Sequence, residues 1–106
     1  MNDLTDENFE KELTESEKPV LVDFFADWCP PCSILAPILE KVAEDLGGKF
    51  ILVKVNVDTI PLTAKNFKIE KIPTVALFKN GKPVSGFVGV QQEPAIKEWL
   101  EKELKE

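Results

Sequence analysis

The chain has 106 residues, 43% of them hydrophobic, which is the size of one compact domain that can bury a core without extra staples and leaves no room for a second. Its net charge is −6, from 19 acidic against 13 basic residues, every basic residue is a lysine and there is no histidine; without arginine forks or a basic cluster, nucleic acid and anionic membrane are poor partners. The polar, acidic start shows no signal peptide and the longest apolar stretches are strand-sized, so the chain is expected to be soluble and cytoplasmic, where a lone cysteine pair is more often catalytic or metal-binding than structural.

In chain order, Thr5 is expected to cap a first helix, with Leu4 and Phe9 stapled across its start and Phe9 and Leu13 forming its apolar side. That helix should end near Ser16, ahead of Pro19. Residues 20–26 are almost continuously apolar and β-rich, the pattern of a strand covered on both faces, with Asp23 as the single break. From Pro31 a second helix carries Ile34, Leu35, Ile38, Leu39, Val42 and Leu46 at helical spacing, with a kink expected at Pro37 and a stop at Gly47-Gly48. Residues 50–57 read as a second buried strand and 61–67 as a short helix. After Ile72-Pro73, residues 74–78 and 83–88 flank Lys79-Asn-Gly-Lys82, and Asn-Gly between two apolar runs predicts an antiparallel hairpin. A last helix begins near Pro94, with Ile96, Trp99, Leu100 and Leu104 on one face. The order predicts an α/β fold: a β-α-β half, then a hairpin and a closing helix, around one mixed sheet.

Both cysteines lie in Trp28-Cys29-Pro30-Pro31-Cys32, between a predicted strand and a predicted helix, which reads as a dithiol/disulfide redox motif. If Cys29 caps the helix, Pro30 and Pro31 occupy its first two positions and the Cys32 amide can point at the Cys29 sulfur. That amide and the helix dipole favour a thiolate on Cys29, making it the nucleophile, while Cys32 lies one turn in as the resolving thiol. A purely structural disulfide over so short a loop would restrict the unfolded chain by only roughly 2 kcal/mol. A zinc site would lack half its ligands, since there is no histidine and no third cysteine.

Asp23 places a carboxylate in a core strand, where burial raises its pKa, and one strand behind the dithiol it could take the proton of Cys32 as that thiol attacks. Lys54, in the neighbouring apolar strand, could modulate it; the alternative for both residues is a structural polar role. Pro73, just before a core strand, is a candidate for a cis bond.

With these elements in one order, the chain resembles the thioredoxin family from end to end. The blocks that carry the likeness are Val22-Asp-Phe-Phe-Ala-Asp-Trp-Cys29, Ala36-Pro-Ile-Leu39, Val55-Asn-Val-Asp58, Ile72-Pro-Thr74, Leu77-Phe-Lys-Asn-Gly81 and Val88-Gly89. The resemblance implies the thioredoxin fold over residues 1–106 as a single domain, with a sheet of four to five strands and about four helices. It also implies a protein-disulfide reductase without a cofactor beyond a Cys29-Cys32 couple, monomeric and recharged by a thioredoxin reductase. Cys29 would be the nucleophile, Cys32 the resolving thiol, Asp23 and Lys54 the buried proton-handling pair, and Pro73 cis. Trp28, Pro30, Pro31, Ile72, Pro73 and Gly89 would line a shallow substrate groove.

The departures are local. Pro30 stands where the family usually has glycine, and Pro31 should push Pro30 from helical ψ, so that the helix begins one residue late. Phe25 replaces a common second tryptophan, Lys68 and Lys71 stand where glycine is frequent, and the segment before Thr5 has room for only a vestigial strand. Other readings of the same motif are a thiol oxidase or isomerase, or a glutaredoxin-like reductase, although no cationic glutathione site is recognisable and Ile72 replaces the threonine usual before the cis-proline there. A reading from a different class is a non-catalytic binding or redox-sensing module on the same fold.

Overall fold

The computed structural model describes residues 1–105. Eight elements follow one another: α1 (Phe9–Glu15), β1 (Val20–Phe25), α2 (Pro30–Asp45), β2 (Ile51–Asn56), α3 (Pro61–Asn66), β3 (Thr74–Lys79), β4 (Lys82–Val88) and α4 (Glu93–Glu103). The sheet has four strands in the order β2-β1-β3-β4. β1 runs parallel to β2 and antiparallel to β3, and β4 is antiparallel to β3. A parallel pair needs a long crossover, and α2 supplies it; the hairpin needs only a tight turn. The mixed sheet and the four helices agree with the expected class, at the lower strand count. Residues 1–5 form no strand and 6–8 form a turn.

Strand side chains alternate between faces, and β1 divides accordingly. Leu21 joins Val75 and Leu77 beneath α2 and α4, packing with Leu35, Leu39, Val42, Ile96 and Leu100. Val20, Val22 and Phe24 join Phe78 and Val55 on the opposite side, covered by Phe9 and Leu13 of α1 and by Ile60. There Phe9, Phe67 and Phe78 meet with ring centroids 5.3–5.7 Å apart, two of the three contacts edge-on, the offset arrangement that ring quadrupoles favour. Phe67 is half-buried, while each buried ring, Phe9 and Phe78, contributes roughly 1.5–3 kcal/mol relative to exposure. The alternation also fixes the one misfit: Asp23, two residues past Leu21, must face the α2 side.

Several boundaries differ from expectation. The α-helix proper starts at Phe9, yet Thr5 still caps the turn before it. Its Oγ1 accepts from the Asn8 amide at 3.1 Å and its own amide donates to Asn8 Oδ1 at 2.7 Å, a reciprocal capping box with asparagine in the usual glutamate's place. Leu4 packs on the cluster that contains Phe9. α2 begins at Pro30 and runs through Pro37 to Asp45 without interruption. Ile34, expected on its apolar face, is 58% exposed, whereas its neighbours Cys32 and Leu35 are buried, so the inward stripe of α2 runs through Cys32, Leu35, Leu39 and Val42. β2 is not a fully buried strand: as an outer strand it is mostly half-buried, and Lys54 is exposed.

Asp6, in the turn before α1, reaches α3. Its Oδ1 accepts from the Thr63 amide at 2.8 Å and the Thr63 hydroxyl at 2.7 Å, and its Oδ2 from the Leu62 amide at 3.3 Å. It thereby satisfies donors that a helix start leaves open.

Asn80 (φ +54°) and Gly81 (φ +81°) both adopt left-handed conformations, the requirement of a type I′ hairpin turn. Gly81 also lies against α1, where an added Cβ would come within 3.1 Å of the Thr14 Cα. Gly81→Ala is therefore expected to cost about 1–3 kcal/mol from backbone strain and overlap together. A lower urea midpoint with an unchanged slope checks it.

Candidate functional site

The site forms where β1 ends and α2 begins. Past Phe25 the Cys29 amide turns back to the Ala26 carbonyl at 3.3 Å, and Cys29 takes an extended conformation (φ −104°, ψ 104°) as the cap of α2. The Cys32 amide donates to the Cys29 sulfur at 3.3 Å. The expected late start of the helix does not occur. Proline's fixed φ suits the first helical position, and neither proline sacrifices a bond because the first amides of a helix have no partner within it. Cys29 and Cys32 are joined as a disulfide and are 4% and 3% exposed, whereas Trp28, beside them, is 69% exposed. Pro30 and Pro31 are exposed.

Opposite the disulfide, the Ile72-Pro73 bond is cis. The Ile72 carbonyl oxygen lies 3.8 Å from the Cys29 sulfur, and Ile72, Phe25 and Val57 pack around Ala26, Cys29 and Cys32. Gly89, at φ +87°, donates its amide to the Pro73 carbonyl at 2.8 Å. Thus Cys29, Ile72, Pro73 and Gly89 are linked contact by contact along one edge of the site.

Asp23 is fully buried, and neither carboxylate oxygen has a hydrogen-bond partner among the described residues. Burial pushes its pKa up from 3.8 to about 6, against the attraction of Lys54. Lys54 is its register partner on β2, as expected from the paired strands. Lys54 is not buried, however, and among the described residues no ion pair within 4.0 Å joins the two. Its ammonium sits instead 4.8 Å from the centre of the Phe25 ring.

One connected group went unforeseen. The Trp28 indole donates to Asp58 Oδ2 at 2.9 Å, the Asp58 amide to Asn56 Oδ1 at 2.9 Å, and the Asn56 amide nitrogen to Asp27 Oδ2 at 3.3 Å. Asn56-Val-Asp58 has the composition of a turn, but nothing in linear order ties it to Trp28. Among the described residues, no group of three or more His, Cys, Asp or Glu is placed to hold a metal, and no helix is long and apolar enough to cross a membrane.

A dithiol couple on a helix N-terminus, backed by a buried carboxylate and faced by a cis-proline, defines a thiol-disulfide oxidoreductase. The thioredoxin family model matches residues 1–102. The chain is 42% identical over 103 residues to the thioredoxin of Rickettsia felis, covering 97% of this chain and 98% of that one. It is 45% identical over 93 residues to the thioredoxin of Mycobacterium tuberculosis, covering 88% and 80%. The chain belongs to the thioredoxin family, and it is a protein-disulfide reductase.

Proposed function

We propose that the reaction runs through Cys29 as nucleophile and Cys32 as resolving thiol, in one folded unit spanning the chain. The Cys29 thiolate attacks one sulfur of a substrate disulfide; that bond breaks, the second substrate sulfur leaves as a thiolate, and a mixed disulfide forms. Cys32 then gives its proton to Asp23 and attacks the Cys29 sulfur, releasing the first substrate sulfur. The substrate has gained two electrons and the enzyme holds the Cys29-Cys32 disulfide. The observation that carries this reading is the Cys32 amide aimed at the Cys29 sulfur, in a fold that also buries the Asp23 carboxylate with no hydrogen-bond partner among the described residues. With its pKa at about 6, Asp23 is about nine-tenths ionised at neutral pH and free to accept a proton. Lys54 tempers that basicity from the neighbouring strand.

Trp28, Pro30, Pro31, Ile72, Pro73 and Gly89 line the groove for an extended substrate segment. No cofactor beyond the disulfide is required, the working form is a monomer of the cytoplasm, and the electrons come from a thioredoxin reductase. Equilibrium titration of the dithiol in thiol buffers tests the direction. A potential near about −270 mV fits a reductase, whereas one near about −120 mV would assign the chain to the oxidases.

Asp58 holds the exposed Trp28 ring at the groove edge. Asp58→Ala is expected to raise KM for a protein disulfide about two- to threefold with little change in kcat, because one exposed hydrogen bond is lost and the dithiol is untouched. Steady-state kinetics with a protein substrate separates the two constants.

A further inference from the structure

We propose that Phe25 is a positioning residue of this site, its ring face holding the Lys54 ammonium beside Asp23 and so setting how strongly the carboxylate attracts a proton. The inference rests on the reading of Asp23 as the acceptor for the Cys32 proton. Lys54 and Asp23 are register partners on adjacent strands, and Phe25 lies two residues beyond Asp23, on the same face of the sheet. The ring itself is fixed, half-buried against Ala26, Cys29 and Cys32. The ammonium stands 4.8 Å from the ring centroid, inside the roughly 6 Å reach of a cation–π contact. A lysine side chain otherwise samples many rotamers, and no carboxylate lies within ion-pairing distance of this one among the described residues.

The other groups facing Asp23 leave Lys54 as the tuning charge. β3 places Val75 opposite it, the α2 and α4 side chains in the core on that face of the sheet, Leu35, Leu39, Ile96 and Leu100, are apolar, and the cysteines at the start of α2 are joined and carry no charge. The nearby acids are engaged elsewhere: Asp27 accepts from Asn56 and Asp58 from Trp28. Lys54 is also the charge that opposes burial in setting the Asp23 pKa. An exposed cation–π contact is worth a factor of about two to five in equilibrium constant, so losing the ring releases part, not all, of the docked lysine.

The test is the titration of the Asp23 carboxyl carbon by NMR in the oxidised protein, where the cysteines do not titrate. Phe25→Leu is expected to move the midpoint upward by less than Lys54→Met does, and to add nothing in the Lys54→Met background. In the parent protein the Lys54 Hε protons should be shifted upfield by the ring, an effect retained in Phe25→Trp and lost in Phe25→Leu. An equal Phe25→Leu shift in both backgrounds, no shift in either, or Hε protons at ordinary positions in the parent protein overturns the proposal. Should Phe25→Leu not fold, the Hε protons of the parent and of Phe25→Trp still decide it. Failure of the underlying reading would look different: Asp23→Asn would resolve mixed disulfides at the parent rate while the titration order above held.

Discussion

Cys32→Ser is expected to accumulate covalent complexes with disulfide-containing proteins while Cys29→Ser forms none. In the parent protein the resolving step is intramolecular, and well-oriented intramolecular groups reach effective molarities of about 10⁵ M or more. Without Cys32 the mixed disulfide must wait for an external thiol at millimolar concentration, so turnover should fall at least about a thousandfold. The half of the reaction that needs only Cys29, at the start of α2 with the residue 32 amide beside its sulfur, is retained. Non-reducing electrophoresis, with adducts released by dithiothreitol, reads the outcome. A folded Cys32→Ser protein that captures nothing would sink the two-thiol mechanism. It would also move the chain toward a binding module, for which turnover is lost and binding is not.

Asp23→Ala should make the protein more stable and slower at once. A carboxyl group whose pKa rises on folding binds its proton more tightly in the native state than in the unfolded one. The native state therefore loses stability as pH climbs from the unfolded value to the folded value, and it carries the whole cost above that. For Asp23 the interval runs from 3.8 to about 6. At 1.36 kcal/mol for each tenfold change in protonation, the cost at pH 8 is about 3 kcal/mol. Alanine removes it, less whatever packing the smaller side chain gives up. Urea unfolding should show the gain at pH 8 and its disappearance below about pH 4, where both states hold the proton. Over the same range the resolving step should slow by about a hundredfold or more at pH 8, the usual contribution of a positioned base, and the parent's inflection near pH 6 should vanish. A gain independent of pH would mean that the carboxylate is not the source of the cost.

These two residues also show how much a linear reading can hold. The dithiol was legible because its geometry is local: a strand, a cap, two prolines and a cysteine one turn later specify the Cys32 amide without reference to the rest of the chain. Asn80-Gly81 was legible for the same reason, since the turn type is written in two residues. Asp23 stood out because a charge among valines and phenylalanines has no ordinary explanation. Ile72-Pro73 named a position for a cis bond, and the bond is there.

What escaped the sequence depends on contacts between distant segments. Residues 50–57 are apolar enough for a central strand, but the order β2-β1-β3-β4 places that run at the margin and leaves Lys54 in solvent. The spacing of Ile34 is helical, yet spacing alone cannot say which side of an apolar stripe turns to the sheet, and the structure buries Cys32 and Leu35 instead. The hydrogen bond from Trp28 to Asp58 spans 30 residues, and neither partner is unusual where it stands. Lys68 adopts φ +56°, a left-handed conformation that suits glycine better, and nothing in its sequence neighbourhood announces it.

The grip of Asp6 on Leu62 and Thr63, across 56 and 57 residues, also bears on the order in which the chain can assemble. Closing so long a loop costs entropy before any bond rewards it, so these bonds can form only after the strands between have brought the two segments together. The start of the chain thus acts as a late clasp on α3. Loss of that clasp would show first as faster amide exchange at the start of α3, while the parallel β1–β2 pair stayed protected.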